Sequence, residues 1–189
     1  FIPDIMRLLD NVLQDFIDNA PDEMARARYS AMRERSVGLG VMGMHSFFQS
    51  QNIPFESVMA KVWNKKMFKH IRAQADVASV ELAHERGACP DAADYGIMER
   101  FSSKMAVAPT ASISIICGGS SPGIEPIAAN SFTHKTLSGS FSVKNRHLRM
   151  LLAEKGKDTD EIWSSITTHE GSVQHLDFLS DDEKDVFKT

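Results

Sequence analysis

The sequence predicts a helix-rich α/β fold, and three observations predict it. Apolar residues recur at helical spacing along much of the chain, most completely over residues 5–17 and 56–86. Two short stretches, residues 36–42 and 104–108, are small and apolar instead, as buried strands are. Residues 136–144 alternate in the manner of a strand. At 189 residues and 42% hydrophobic content, the chain is long enough for one folded segment with a real core, residues 1–189.

Ile5, Leu8, Leu9, Val12, Leu13, Phe16 and Ile17 mark a first amphipathic helix, which Asn19, Ala20 and Pro21 end. Asp22 is placed to cap a second helix through about Arg33. After the strand at residues 36–42, residues 44–51 fit a short helix stopped by Asn52, Ile53 and Pro54. The longest helical pattern, residues 56–86, draws its apolar side from Val58, Val62, Met67, Ile71, Ala75, Val80 and Leu82. Gly87 and Pro90 end it. Residues 91–101 read as loop and short helix, and residues 104–108 as a strand. Asn145 caps a helix to about Lys155, where Gly156 follows, and residues 158–167 form another. The acidic run Asp181, Asp182, Glu183 opens a last helix, negative charge being favourable at a helix N-terminus. The chain starts at Phe1, without methionine, inside a helix, and stops at Thr189 in that last one. Both ends are expected to be cut, leaving a split-gene product, a piece between insertions or a partial read.

A formal net charge of −4 and scattered basic residues argue against a nucleic-acid-binding face. Lys61, Lys65, Lys66 and Lys69 read as a solvated helix face. No apolar run approaches the ~18 residues that span a bilayer, and no signal-peptide pattern opens the chain. Two cysteines, Cys89 and Cys117, make neither a disulfide framework nor a metal site, which suits a reducing, cytoplasmic protein.

The densest chemistry lies in residues 107–126, VAPTASISIICGGSSPGIEP. A short apolar segment meets Pro109, and Thr110, Ala111, Ser112, Ile113 and Ser114 then offer small-residue amides beside hydroxyls. The first amides of a helix have no internal partner and the helix dipole favours negative charge there, so this turn is a physically good anion cradle. Each charge-assisted hydrogen bond to a phosphate oxygen contributes roughly 1.5–3 kcal/mol. Three or four would hold a diphosphate without a lysine. The same residue types also build ordinary turns and N-caps.

Other motifs favour structural readings. Gly38, Gly40 and Gly43 match the dinucleotide fingerprint G-x-G-x-x-G, but charged, helical residues precede them where an apolar strand is required. Glycines that permit close backbone approach explain them better. Of seven histidines, His134, His147, His169 and His175 sit singly among polar neighbours, and no metal is expected. Cys117, beside Ile115 and Ile116, reads as an inert thiol in an apolar setting. Cys89 reads as a surface or packing residue at a helix end. Glu125, between Ile124 and Pro126, reads as an ion-pair or capping carboxylate, and nothing marks Tyr29 or Tyr95 for radical chemistry.

The stretch APTASISIICGGSSPGIEP, with Ile127 to Asn130 and Thr133 to Phe141 after it, resembles the large (alpha) subunit of class I, aerobic ribonucleotide reductase. Residues 35–41 resemble the family's glycine-containing barrel strand, and residues 83–90 its helix end. The resemblance covers essentially the whole chain and implies the second half of a ten-stranded α/β barrel, incomplete here. It implies reduction of ribonucleoside diphosphates to deoxyribonucleotides by a radical mechanism, for DNA precursor synthesis. A transient thiyl radical on a finger-loop cysteine abstracts the 3′ hydrogen, and a second cysteine pair supplies electrons. The diphosphate would rest on Pro109, Thr110, Ala111, Ser112 and Ile113. The radical and redox cysteines would lie outside the segment, so it would have no catalytic residue, bind no cofactor and be inactive alone. Implied partners are the amino-terminal half of the large subunit and a small (beta) subunit carrying a di-metal/tyrosyl radical, with ATP and deoxynucleotides as effectors. Two other readings remain: a cobalamin-dependent reductase sharing the Ala-Pro-Thr turn, which flanking sequence would decide, and a non-catalytic remnant, which binding of a nucleoside diphosphate would exclude.

Overall fold

The computed structural model describes residues 1–136 and 139–189. The chain forms two compact units, Phe1–Gly40 with Asn64–Val107, and Val41–Trp63 with Ala108–Thr189.

In the first unit, α1 (Ile2–Asn19) opens with proline in its first turn, where no intrahelical donor is lost. It buries Met6 and Asp10, one turn apart, while Leu8 and Val12 of the expected stripe stand 58% and 61% exposed. The inward face is therefore rotated from the one the aliphatics suggest. The cause is Asp10, a carboxylate that arginines allow to lie inside. A 3-10 turn, Asp22–Met24, precedes α2 (Ala25–Glu34), and Asp22 caps neither by side chain. Within this unit α4 (Val58–Arg86) buries Ala75, Ala78, Ser79, Leu82 and Ala83, whereas its Val80 faces solvent. Small residues thus make the contact, and they pack around Met6 and Phe101 with Ile2, Leu9, Val37 and Leu39 at the margin. A short helix, α5 (Pro90–Ala93), follows. The two strands expected at residues 36–42 and 104–108 reduce to one parallel bridge, Leu39 to Met105. Val37 N–H donates to the Ser103 carbonyl at 2.9 Å, Leu39 N–H to Lys104 at 3.0 Å, and Ala106 N–H to Leu39 at 3.1 Å. The backbones can come this close because Gly40 has no Cβ, which would stand 2.2 Å from the Ala106 oxygen.

In the second unit, α3 (Met44–Ser50) starts after Gly43 in the left-handed conformation. The short α6 (Ala111–Ile116) leads through a loop to a hairpin of β1 (Ser131–Thr136) and β2 (Gly139–Lys144), antiparallel with Ser131 opposite Lys144. The strand expected over residues 136–144 is described from Gly139 onward; residues 137 and 138 lie outside the described residues. β1 escaped the sequence pattern because Phe132 is its one large apolar side chain. The Asn145 side chain caps α7 (Arg146–Glu154) as expected, and Thr159 caps α8 (Asp160–Thr168). At α9 (Asp181–Val186) Ser180 and Glu183 form a reciprocal capping box. Leu148, Leu152, Trp163, Ile166, Val173, Leu176, Leu179, Val186 and Phe187 make this unit's core.

Candidate functional site

Residues 109–113 form the turn that starts α6. Thr110 is its N-cap, at φ 53° and ψ 30°, a left-handed conformation that a β-branched residue rarely adopts. Its hydroxyl makes no cap to the helix; Oγ1 instead accepts from Gly123 N–H at 2.8 Å. Ser114 N–H donates to the Thr110 carbonyl at 2.9 Å, and Ser114 Oγ donates to the Ala111 carbonyl at 3.0 Å. Pro109, Ala111, Ser112 and Ile113 are exposed, Thr110 is half-buried and Ser114 is buried. Among the described residues, none accepts a hydrogen bond from the backbone N–H of Ala111, Ser112 or Ile113. Three consecutive exposed residues therefore carry backbone donors with no partner among the described residues, one of them bearing the Ser112 hydroxyl. With only six residues in α6, these amides, rather than a long helix dipole, supply the local positive potential.

The turn is held from α3. Gly43 N–H donates to the Ser121 carbonyl at 2.9 Å, and Ser46 and Ser121 exchange amide-to-hydroxyl bonds at 3.1 and 2.8 Å. His45 is fully buried, and its Nδ1 accepts from Ile127 N–H at 2.9 Å, which puts the ring proton on Nε2. Burial lowers its pKa to about 4, assisted by the charge of His147 and opposed by the nearby Val186 backbone. Nε2 itself makes no hydrogen bond among the described residues.

Two buried polar clusters were not legible as sites. In the first unit the Asp10 carboxylate receives Arg35 at 2.7 Å, Arg86 at 2.8 Å and Arg100 at 2.9 Å. In the second, Asn145 Nδ2 donates to Asn130 Oδ1 at 2.8 Å and Gln49 Oε1 at 3.0 Å. Apolar spacing could not point to the first, because Asp10, one turn beyond the buried Met6, lies off the aliphatic face of α1. No periodicity marks Ser46, Ser121 or Gly123, which lie at a helix start and in an aperiodic loop.

Several expectations need correction. Cys117 is exposed, and so are Ile115 and Ile116, because α6 turns that side outward; Cys89 is the buried thiol. Glu125 is exposed and makes no ion pair among the described residues; its loop is anchored instead through Ser121, Gly123 and Ile127. His169 and His175 do not sit singly: their rings stack at 3.7 Å. The side chain of His134 lies outside the described residues. Gly38 and Gly40 lie against Ala106, as close-approach glycines do, and no strand-turn-helix unit surrounds them. Tyr29 and Tyr95 are exposed, as are Lys61, Lys65, Lys66 and Lys69. Among the described residues no three His, Cys, Asp or Glu side chains gather within metal-ligating reach.

A family profile described as ribonucleotide reductase, barrel domain, matches residues 2–95 and 91–189. The ribonucleoside-diphosphate reductase large subunit of Invertebrate iridescent virus 3 is 46% identical over 192 residues, covering 100% of this chain and 30% of the relative. That of Invertebrate iridescent virus 6 is 47% identical over 193 residues, covering 100% and 20%. Among solved structures, the Actinobacillus ureae class Id ribonucleotide reductase alpha subunit superposes with a TM-score of 0.89 at 40% identity, covering 100% of this chain and 34% of that one. The chain thus spans between 20% and 34% of the length of these three proteins.

Proposed function

The chain belongs to the ribonucleotide reductase barrel-domain family, and from that premise we propose that it is the substrate-diphosphate-binding segment of a ribonucleoside-diphosphate reductase large subunit. Within the complete subunit it forms part of the second half of a ten-stranded barrel. The supporting observation is the row of three exposed, unpartnered amides at Ala111, Ser112 and Ile113. Pro109 fixes the chain's entry into the turn, and Thr110 is already committed through Oγ1 to Gly123, which sets the direction of the amides after it. The backbone donors, with the Ser112 hydroxyl, bind the phosphoryl oxygens and orient the ribose toward groups carried elsewhere in the subunit.

Radical generation and electron supply belong to other parts of the assembly: the remainder of the large subunit, and a small subunit with its di-metal and tyrosyl-radical centre. The described residues offer no donor set for such a metal centre, and no step of this segment runs through it. Nucleotide effectors act outside this segment as well. Among the described residues no helix is long and apolar enough to cross a membrane. Two free thiols suit a cytoplasmic setting.

The test is Ser112→Asp in the full-length large subunit carrying this segment. A carboxylate among the phosphate donors should abolish binding of CDP in equilibrium dialysis while thermal unfolding stays unchanged, Ser112 being exposed. Undiminished CDP binding by that variant would remove the diphosphate reading.

A further inference from the structure

Ser121 and its neighbours carry none of the donors offered to substrate, yet they fix where those donors point. Ser46 N–H donates to Ser121 Oγ at 3.1 Å, and Ser121 N–H donates back to Ser46 Oγ at 2.8 Å. Both serines are buried, at 8% and 2% exposure, so neither bond competes with water. Gly43 N–H adds a third bond, to the Ser121 carbonyl at 2.9 Å, and Met44 N–H reaches the Gly123 carbonyl at 3.5 Å.

Residues on either side of Ser121 then grip α6 at two points. Gly123 N–H donates to Thr110 Oγ1 at 2.8 Å, at the N-cap. Ser120 N–H donates to the Ser114 carbonyl at 3.1 Å, in the middle of the helix. Thr110 is held left-handed, a conformation that a β-branched residue keeps only where its surroundings enforce it. The side-chain contact at Thr110 is the one with Gly123, two residues beyond Ser121.

We propose that Ser46 and Ser121 form a buried clasp that positions the diphosphate turn for the reductase reaction. The proposal rests on the diphosphate reading above. Neither serine touches substrate; both are positioning residues. With the clasp removed, Thr110 relaxes toward the extended geometry of an ordinary N-cap, as at Asn145, Thr159 and Ser180, and the amides of Ala111, Ser112 and Ile113 no longer converge on one phosphate. Orientation is lost while the reacting groups, which lie elsewhere, are untouched.

The experiment uses the full-length large subunit carrying this segment, assayed with its small subunit and CDP. Ser46→Ala and Ser121→Ala should each raise KM about tenfold, with kcat within about twofold of the parent. Thr110→Val keeps the side-chain shape and removes only the acceptor of Gly123 N–H, so it carries the same expectation should Ser121→Ala fail to fold. Ser50→Ala is the control: that exposed hydroxyl on the same helix donates to the Phe47 carbonyl and accepts from Gln51 Nε2, touches neither Ser121 nor Thr110, and should change neither constant. An unchanged KM in Ser46→Ala and Thr110→Val, or a fall in kcat with KM unaltered, would overturn the clasp. Ser112→Asp separates the two claims. Loss of CDP binding in that variant with normal KM in the clasp variants would sink the clasp alone, whereas retained binding would sink the diphosphate reading beneath it.

Discussion

The guanidinium of Arg35 meets the carboxylate of Asp10 at 2.7 Å, with Asp10 fully buried. Two more arginines, Arg86 and Arg100, share that carboxylate, and Arg35 also donates to Gln14 Oε1 at 2.9 Å. One carboxylate therefore serves three arginines, two of which, Arg35 and Arg100, are themselves buried and meet no other acidic side chain among the described residues. Removing one partner of such a pair costs about 3–5 kcal/mol, so Asp10→Asn should lower the urea midpoint of the first unit severely. Burial alone would raise the Asp10 pKa, but hydrogen bonds from Arg100, Arg35 and Arg86 outweigh it and leave the pKa below the ordinary 3.8. With the folded pKa depressed, this stabilisation is complete above the unfolded value and disappears as pH falls through the folded one. Acid unfolding followed by circular dichroism should lose that component in Asp10→Asn.

His45 gives the second unit a different acid sensitivity. Its folded pKa of about 4 lies below the ordinary 6.5, chiefly because burial penalises the charged ring. The unfolded chain therefore binds more protons between those values, and stability declines as pH falls from 6.5 to about 4. The whole effect is roughly 3 kcal/mol. His45→Gln removes the titration, so urea midpoints measured across this window should lose most of their slope. A slope equal to the parent's would assign the titration to another group.

Helices with end signals were legible: Asn145 and the acidic start of α9 announced themselves, and the apolar spacing located α1 and α4. Which face points inward was not. In α1 the aliphatics Leu8 and Val12 outvote Asp10 on any hydrophobic count, yet three arginines reverse the outcome. The position of the candidate turn, residues 109–113, was readable from its proline, hydroxyls and small residues. Its support was not, because Ser46 and Ser121 are 75 residues apart in sequence and serine carries no distinguishing periodicity. The Cys117 error has the same root: two adjacent isoleucines suggest a core, but on a short helix they can equally face outward.

Asn145 does two tasks in opposite directions, and substitutions can separate them. Its Oδ1 accepts from His147 N–H at 3.0 Å to cap α7, while Nδ2 donates to Asn130 Oδ1 and Gln49 Oε1. Losing the cap costs about 0.5–2 kcal/mol. Leaving the two buried acceptors without a donor costs roughly 1–3 kcal/mol for each. Asn145→Ser retains a cap and should be intermediate. Asn145→Asp retains it too, but sets a carboxylate against two acceptor oxygens in a buried site, so it should be the most destabilising of Ser, Ala and Asp in chemical denaturation. If Asp proved the mildest, the cap alone would account for Asn145.

Gly40 tests whether the glycines at residues 38–43 serve backbone contact or a cofactor. A Cβ at Gly40 would stand 2.2 Å from the Ala106 carbonyl oxygen and 3.3 Å from the Val107 Cα, and backbone cannot yield as a side-chain tip does. At Gly38 the nearest atom is the Ala106 Cβ, at 3.0 Å, a milder conflict. Gly40→Ala should therefore break the Leu39–Met105 bridge, at a cost of roughly 1–3 kcal/mol, and Gly38→Ala should cost less. Hydrogen exchange would report it directly: the amides of Leu39 and Ala106, which close the bridge, should lose protection in Gly40→Ala. Titrating the parent with NAD should protect neither amide. Protection by NAD, with Gly40→Ala leaving exchange unchanged, would return these glycines to dinucleotide binding.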